Sequence, residues 1–182
     1  VIIKTPVGTV VQTGDFKIDT TPIDGEMINL ARFAELGKQG VLALLSDSTN
    51  AERPGFSASE RIVGDSFSNL FKKASSGRII VASFSSNIHR IQQIADLAVK
   101  YGRKIAVCGR SMTNTIETAR KLGYMDVPDN LFIDIEMIKN YQEKQLVIIT
   151  TGSQGETMSA LTRMAAGEHK KVEITPNDLV II

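Results

Sequence analysis

Three polar stretches of this chain share one design: Ser83–Asn87, Gly109–Asn114 and Thr151–Glu156. Each follows an apolar run, is rich in Ser, Thr, Asn or Gly, and leads into a segment of helical periodicity. Loops of that kind line the carboxyl edge of an open parallel sheet, where α/β proteins bind ligands. The helix starts behind them present free backbone amides and the positive end of a dipole, which suits phosphate. Arg90 and Arg110 lie close by in the chain and add positive charge. None of the loops carries the Gly-Lys-Ser/Thr of a P-loop, and none fits the dinucleotide glycine pattern. Helix starts also take Ser, Thr and Asn simply as caps, so one such loop says little. Three with the same layout point to a phosphate or nucleic-acid surface.

The acids at strand ends form a second group. Asp15, in Thr13-Gly14-Asp15, and Asp47, in Leu44–Asn50, each follow an apolar run directly. A carboxylate there suits a metal ligand or the orienter of a histidine, and equally a turn or cap. His89 falls in the first turn of an expected helix, and His169 follows Gly167-Glu168 in an expected loop; a structural or solvated imidazole fits both places. Two isolated histidines, with no His-x-His and no cysteine cluster, do not complete a zinc site. Cys108 ends an apolar run and reads as a small buried hydrophobe.

The element that must position these loops is the unit over residues 77–114. Arg78–Ser83 is a short apolar strand. Ile88–Tyr101 has Ile91, Ile94, Ala95 and Ala98 at helical spacing, with Gly102 as its cap. Lys104–Val107 is the next strand. A strand–helix–strand unit of this length builds a parallel sheet with helices on its faces. Before it, strands are expected at Val1–Lys4 and Gly8–Gln12, an extended run at Phe16–Asp19, a helix at Asn29–Leu36 closed by Gly37, and a buried strand at Val41–Leu45. Ala51–Phe56, with Pro54-Gly55, is the expected boundary between two parts, 1–50 and 51–182. Ser57-Ala58-Ser59-Glu60 has the form of a capping box, opening a helix to about Ala74 with Ile62, Val63, Phe67, Leu70 and Phe71 inward. After the central unit come a helix at Asn114–Leu122, a strand at Leu131–Ile133 and a short helix near Ile135–Tyr141. Gln145–Thr150 is a strand, Thr157–Ala166 a helix ended by Gly167, and Val172–Ile174 and Leu179–Ile182 are strands. The fold class is α/β: a mostly parallel sheet flanked by helices, with a small β-rich part at the N-terminus.

The formal net charge of the 182 residues is +1, so any polyanion is held by a local site rather than a global field. A single cysteine argues against a disulfide framework and fits a reducing cytoplasm. No apolar run is long enough to span a membrane, and no signal peptide is apparent. The chain starts on the strand-like Val1–Gln12 and ends on the strand-like Leu179–Ile182, so it is expected to be a piece of a longer protein. Val1–Gln12 would then expose strand edges prone to aggregation.

Thr13–Asp19 (TGDFKID), Leu44–Asn50 (LLSDSTN), Ser86–Gln93 (SNIHRIQQ), Lys100–Met112 (KYGRKIAVCGRSM) and Thr150–Gly167, containing TTGSQGE and MSALTRMAAG, resemble the ribonuclease J family in that family's order. That family lies in the β-CASP group of the metallo-β-lactamase superfamily. The resemblance covers nearly the whole chain, and SDSTN, SNIHR and GSQGE in this order are specific to it. It implies a tail of the lactamase-like domain over 1–50 and most of the β-CASP domain over 51–182. It implies that Asp15 matches the aspartate bridging two catalytic zinc ions. Asp47 matches the acid that opens the β-CASP insertion and pairs with a later histidine near the leaving group. Ser85, Ser86 and Asn87 match the loop that contacts RNA phosphate and sugar, with His89 on the same surface.

The family's His-x-His-x-Asp-His run, its further histidine ligand before TGD, its two later histidine motifs and its Ser-Gly-His stretch are absent from these 182 residues. The resemblance implies that the intact protein is a zinc-dependent endonuclease and 5′-to-3′ exonuclease of RNA, expected to be cytoplasmic and homo-oligomeric, whereas this piece, lacking those motifs, is expected to be catalytically inactive alone. Two other classes stay open on the residues themselves: an α/β module for a nucleotide or sugar phosphate, and a non-catalytic RNA-binding or assembly module.

Overall fold

The computed structural model describes residues Val1–Ile182 throughout. They form two compact units, Val1–Ile62 and Val63–Ile182.

In the first unit β1 (Ile2–Thr5) and β2 (Gly8–Gln12) pair antiparallel, and β2 pairs parallel with β3 (Ala43–Leu45). The hairpin turn is closed by the Thr5 hydroxyl, which donates to the Gly8 carbonyl at 2.7 Å. Helix α1 (Leu30–Gln39) starts where Asn29 caps it, its side chain accepting from the Arg32 amide. It runs past the expected stop at Gly37, whose carbonyl instead takes the Gly40 amide at 3.3 Å. Val11 and Leu36 are buried. The expectation of a buried strand at Val41–Leu45 is overturned: the strand starts at Ala43, and Leu44 is 63% and Leu45 53% exposed. An apolar run reports what a strand can bury, not whether a second layer covers it, and β3 is an edge strand of a three-stranded sheet. Phe16–Asp19 joins no strand. Asp19 turns instead to the start of α2 (Glu60–Lys73), where its carboxylate accepts from the Ser59 hydroxyl at 2.9 Å and the Glu60 amide at 3.2 Å. That contact replaces the expected Ser57–Glu60 capping box, because the helix begins later than such a box requires. Ile62, expected to point inward, is 55% exposed, whereas Phe67 and Phe71 are buried as expected.

The second unit contains β4 (Ile79–Ala82), α3 (Ile88–Lys100), β5 (Lys104–Cys108), α4 (Arg110–Lys121), β6 (Phe132–Ile133), β7 (Leu146–Thr150), α5 (Ala160–Ala165) and β8 (Leu179–Ile181). The strands form one sheet in the order β6-β5-β7-β4-β8, with every pair parallel. Alternate side chains divide the core between two faces, as the two-residue period of a strand demands. Ile79, Val81, Val147 and Ile149 face Phe67 and Phe71 of α2, Ile91, Ile94, Ala95 and Ala98 of α3, and Met112, Ile116 and Ala119 of α4. Ile80, Ala82, Cys108 and Ile148 face Ala160, Leu161, Met164 and Val172. At the amino end of the strands the buried Arg103 guanidinium donates to the carbonyls of Gly77 (3.0 Å), Leu146 (3.1 Å) and Ala74.

Several expected boundaries move. Helix α4 opens at Arg110, not Asn114, so most of the second polar stretch is its first turn. Helix α5 is shorter than Thr157–Ala166 and starts after Ser159, whose hydroxyl accepts from the Thr162 amide. Ile135–Asn140 winds as a 3₁₀ helix. Val172–Ile174 forms no strand: Val172 is buried in the core, and its amide donates to His169 Nδ1 at 3.1 Å. No helix is long and apolar enough to cross a membrane.

Candidate functional site

The six residues singled out in the sequence fall into two sets. Asp15 and Asp47 lie in the first unit, and Ser85, Ser86, Asn87 and His89 in the second.

Strands β2 and β3 run parallel in register, Gln12 opposite Leu45, so the loops that follow them leave from one edge. They are tied there: the Thr13 amide donates to the Leu45 carbonyl (3.0 Å), and the Asp47 amide donates to the Thr13 hydroxyl (3.0 Å). Gly14 turns the chain with φ +63°, a left-handed conformation that costs glycine nothing, and leaves Asp15 exposed next to it. The Asp47 carboxylate accepts from the Thr49 amide (2.9 Å) and the Thr49 hydroxyl (2.7 Å). Those two bonds, followed by the amides of Phe16 and Ser48, hold its pKa below the ordinary carboxylate value. Asp47 is thus an ionised acceptor at neutral pH. No group of three or more His, Cys, Asp or Glu side chains is placed to hold a metal ion.

In the second unit the strand order brings the three polar stretches together. β5, β7 and β4 are consecutive neighbours, so Gly109–Asn114, Thr151–Glu156 and Ser83–Asn87 leave the same carboxyl edge side by side. From β7 the chain crosses to β8 on one side, and from β5 to β6 on the other; that is a switch point, where open sheets leave a crevice. Ser85 Oγ and Ser111 Oγ are hydrogen-bonded at 3.0 Å across the edge. Asn87 caps α3, its side-chain oxygen accepting from the Arg90 amide at 3.1 Å. Ser86 is exposed beside it, and His89 is exposed in the first turn of the helix. Gly152 follows β7 with φ +118°, where a Cβ would stand 2.4 Å from Ser159 Oγ, so only glycine lets the third loop lie this close to the start of α5. Arg110 is exposed in the first turn of α4, behind a Gly109 that supplies no side-chain cap. A cation at the positive end of a helix opposes the dipole by about 0.3–1 kcal/mol, and an anion bound there would relieve it.

Ser111 and Thr13 are contributors that the residue pattern did not single out. Their signal is topological: each meets its partner only because β4 and β5, or β2 and β3, start or end their loops at one edge. His169 makes its bonds within its own loop. Its Nδ1 accepts from the Lys171 and Val172 amides at 3.4 and 3.1 Å, and burial, then Arg163 and Lys171, lowers its pKa.

The sequence model of the family described as "Ribonuclease J, beta-CASP domain" matches residues 76–182. Among curated relatives, Ribonuclease J of Helicobacter pylori (strain ATCC 700392 / 26695) is 51% identical over 99% of this chain and 26% of its own length. Ribonuclease J of Synechocystis sp. is 51% identical over 98% of this chain and 28% of its own. Ribonuclease J of Thermus thermophilus is 47% identical over 100% of this chain and 31% of its own. The chain thus spans from 26% to 31% of the length of these three relatives.

Proposed function

Because the chain belongs to the ribonuclease J family, through that family's β-CASP domain, we propose that it is the RNA-holding part of a ribonuclease. In this reading residues 51–182 are the β-CASP domain and 1–50 the end of the lactamase-like domain. The whole protein is a cytoplasmic, homo-oligomeric enzyme that cuts RNA internally and from the 5′ end with two zinc ions. What supports RNA holding is one observation: three polar loops leave adjacent parallel strands at one edge, and two are joined by Ser85–Ser111. Ser85, Ser86 and Asn87 would grip phosphate and sugar there, with His89 and Arg110 alongside. Such contacts position a strand without reading its sequence, so weak sequence preference is expected.

Asp15 is this chain's candidate zinc ligand, and Asp47 would orient the histidine that assists the leaving oxygen. A single exposed carboxylate outside any cluster of three ligating groups cannot hold two zinc ions. Residues 1–182 therefore do not by themselves fit the metal pair, and we expect the nuclease-free chain to leave RNA intact with zinc added. Zinc-dependent cleavage by that preparation would refute this.

The test of RNA holding is binding of a short single-stranded RNA across a salt series. Micromolar affinity that weakens with salt is expected. Arg110→Ala should lower the slope of log affinity against log salt by about 0.7, the share of one phosphate contact on a single strand. Asn87→Ala should weaken binding too. A folded chain that binds no RNA at low salt refutes the reading, and tight mononucleotide binding without RNA competition would favour a nucleotide-phosphate module instead.

A further inference from the structure

Phe84 is the one aromatic residue in the three loops of the carboxyl edge. Phe84 is 44% exposed, whereas Phe67 and Phe71 of the same unit are 5% and 2% exposed. The backbone beneath it is fixed on both sides. The Ser83 amide donates to the Thr150 carbonyl at 3.0 Å, and the Asn87 amide donates to the Phe84 carbonyl at 3.2 Å. The ring therefore stands on a rigid strand end, one residue before Ser85 and three before the cap of α3. Met158, in the loop that follows β7, is 83% exposed. The edge thus carries apolar side chains among its hydroxyls and amides.

A single exposed apolar residue on a surface needs no explanation. This one differs in its setting. Grooves that hold single strands combine groups for the backbone with an aromatic face for the bases, and every nucleobase has a π-face to offer. A ring with two torsions, held by its own turn, loses little freedom on stacking. We propose that Phe84 is the stacking platform for one base of the bound RNA, within the loop that holds the backbone. The proposal rests on the RNA reading above and adds to it a contact that is independent of charge.

The experiment compares the chain with Phe84→Ala, Phe84→Trp and, as an apolar control on the last turn of α3, Val99→Ala; Val99 is 48% exposed. Each is titrated with a short single-stranded RNA and with a series in which one nucleotide at a time is made abasic. Phe84→Ala should bind on the order of 10-fold more weakly, with an unchanged salt slope. At one position of the series, removal of the base should weaken the unaltered chain as much as the substitution does, and should not weaken Phe84→Ala further. The chain has no tryptophan, so Phe84→Trp adds a lone reporter whose fluorescence RNA should quench, and the strand abasic at that position should not. Val99→Ala should bind as the unaltered chain does. Equal affinity of Phe84→Ala and the unaltered chain overturns the proposal and leaves RNA holding intact. So does an equal loss on every abasic strand. Absence of any RNA binding by the folded, unaltered chain overturns the RNA reading and the proposal together.

Discussion

Asp47 and Thr49 account for one another. An aspartate whose side chain accepts from the amide two residues on makes a turn of its own, and a threonine at that second position adds its hydroxyl. The motif then ends on Asn50, the one non-glycine residue with positive φ, at +60°, a conformation that asparagine tolerates better than most. These bonds favour the charged carboxylate, so its pKa is lowered. The sign follows: the turn is fully supported above the ordinary carboxylate range, and the support is lost as pH falls through the lowered value in the folded chain. Thr49→Val keeps the shape and the amide but removes the hydroxyl. It should raise the Asp47 midpoint toward the ordinary value while leaving it below, because the amides of Thr49, Phe16 and Ser48 remain. Carboxyl NMR across a pH series reads this directly, and an unmoved midpoint would show that the hydroxyl donates elsewhere. An aspartate held ionised in this way accepts hydrogen bonds and does not deliver protons, which is the character needed to orient an imidazole.

The strand starts and helix ends show a different economy. Arg103 gathers three carbonyls, from Ala74 just after α2, from Gly77 two residues before β4 and from Leu146 at the start of β7. Arg103→Met should cost about 3 kcal/mol, because buried carbonyls left without donors are penalised beyond the bonds themselves. Arg103→Lys, with one nitrogen, should recover part of it. Urea unfolding measures both, and a loss below about 1 kcal/mol would mean that water replaces the guanidinium. Nothing local in the sequence marks Arg103 for this role, and the same limit explains the other misreadings. Helix α3 was fully legible, since Asn87 and the Ile91, Ile94, Ala95, Ala98 stripe are all within the helix or beside it. The cap of α2 was not, since Asp19 lies about 40 residues upstream of Ser59 and Glu60. The start of α4 was hidden because Gly109 offers no capping side chain and Arg110-Ser111 has the composition of a loop. Val172–Ile174 looks like a strand because its apolar residues alternate with Glu173, but it is a loop that sends Val172 into the core, with Ile174 packed partly buried beside it. The loops of the candidate site were legible one by one; that Ser85 meets Ser111 follows from β7 inserting between β4 and β5, an order that no residue encodes alone.

At the scale of the molecule, Cys108 reports on the closed sheet. It is 3% exposed at the end of β5, and burial pushes its thiol up to about 11, against a smaller opposing pull from Lys171 and Arg163. At pH 8 about one thiol in a thousand is then ionised. Labelling by a thiol reagent should therefore wait for global opening and follow the denaturant dependence of unfolding. Prompt labelling in native buffer would show that the β5 end opens by itself. The strand order carries a further consequence, for the time course of synthesis. β4 emerges first among the strands of its sheet, yet both of its neighbours, β7 and β8, are made later. Arg78, just before it, waits 100 residues for Asp178, its nearly buried ion-pair partner at 2.6 Å. Until β7 arrives, an entirely apolar strand has two bare edges, and both of its strand partners are distant in the chain. High contact order slows such closure and lengthens the exposure of sticky intermediates. On a ribosome, β4 is therefore a natural client for a chaperone during the interval between residues 82 and 146.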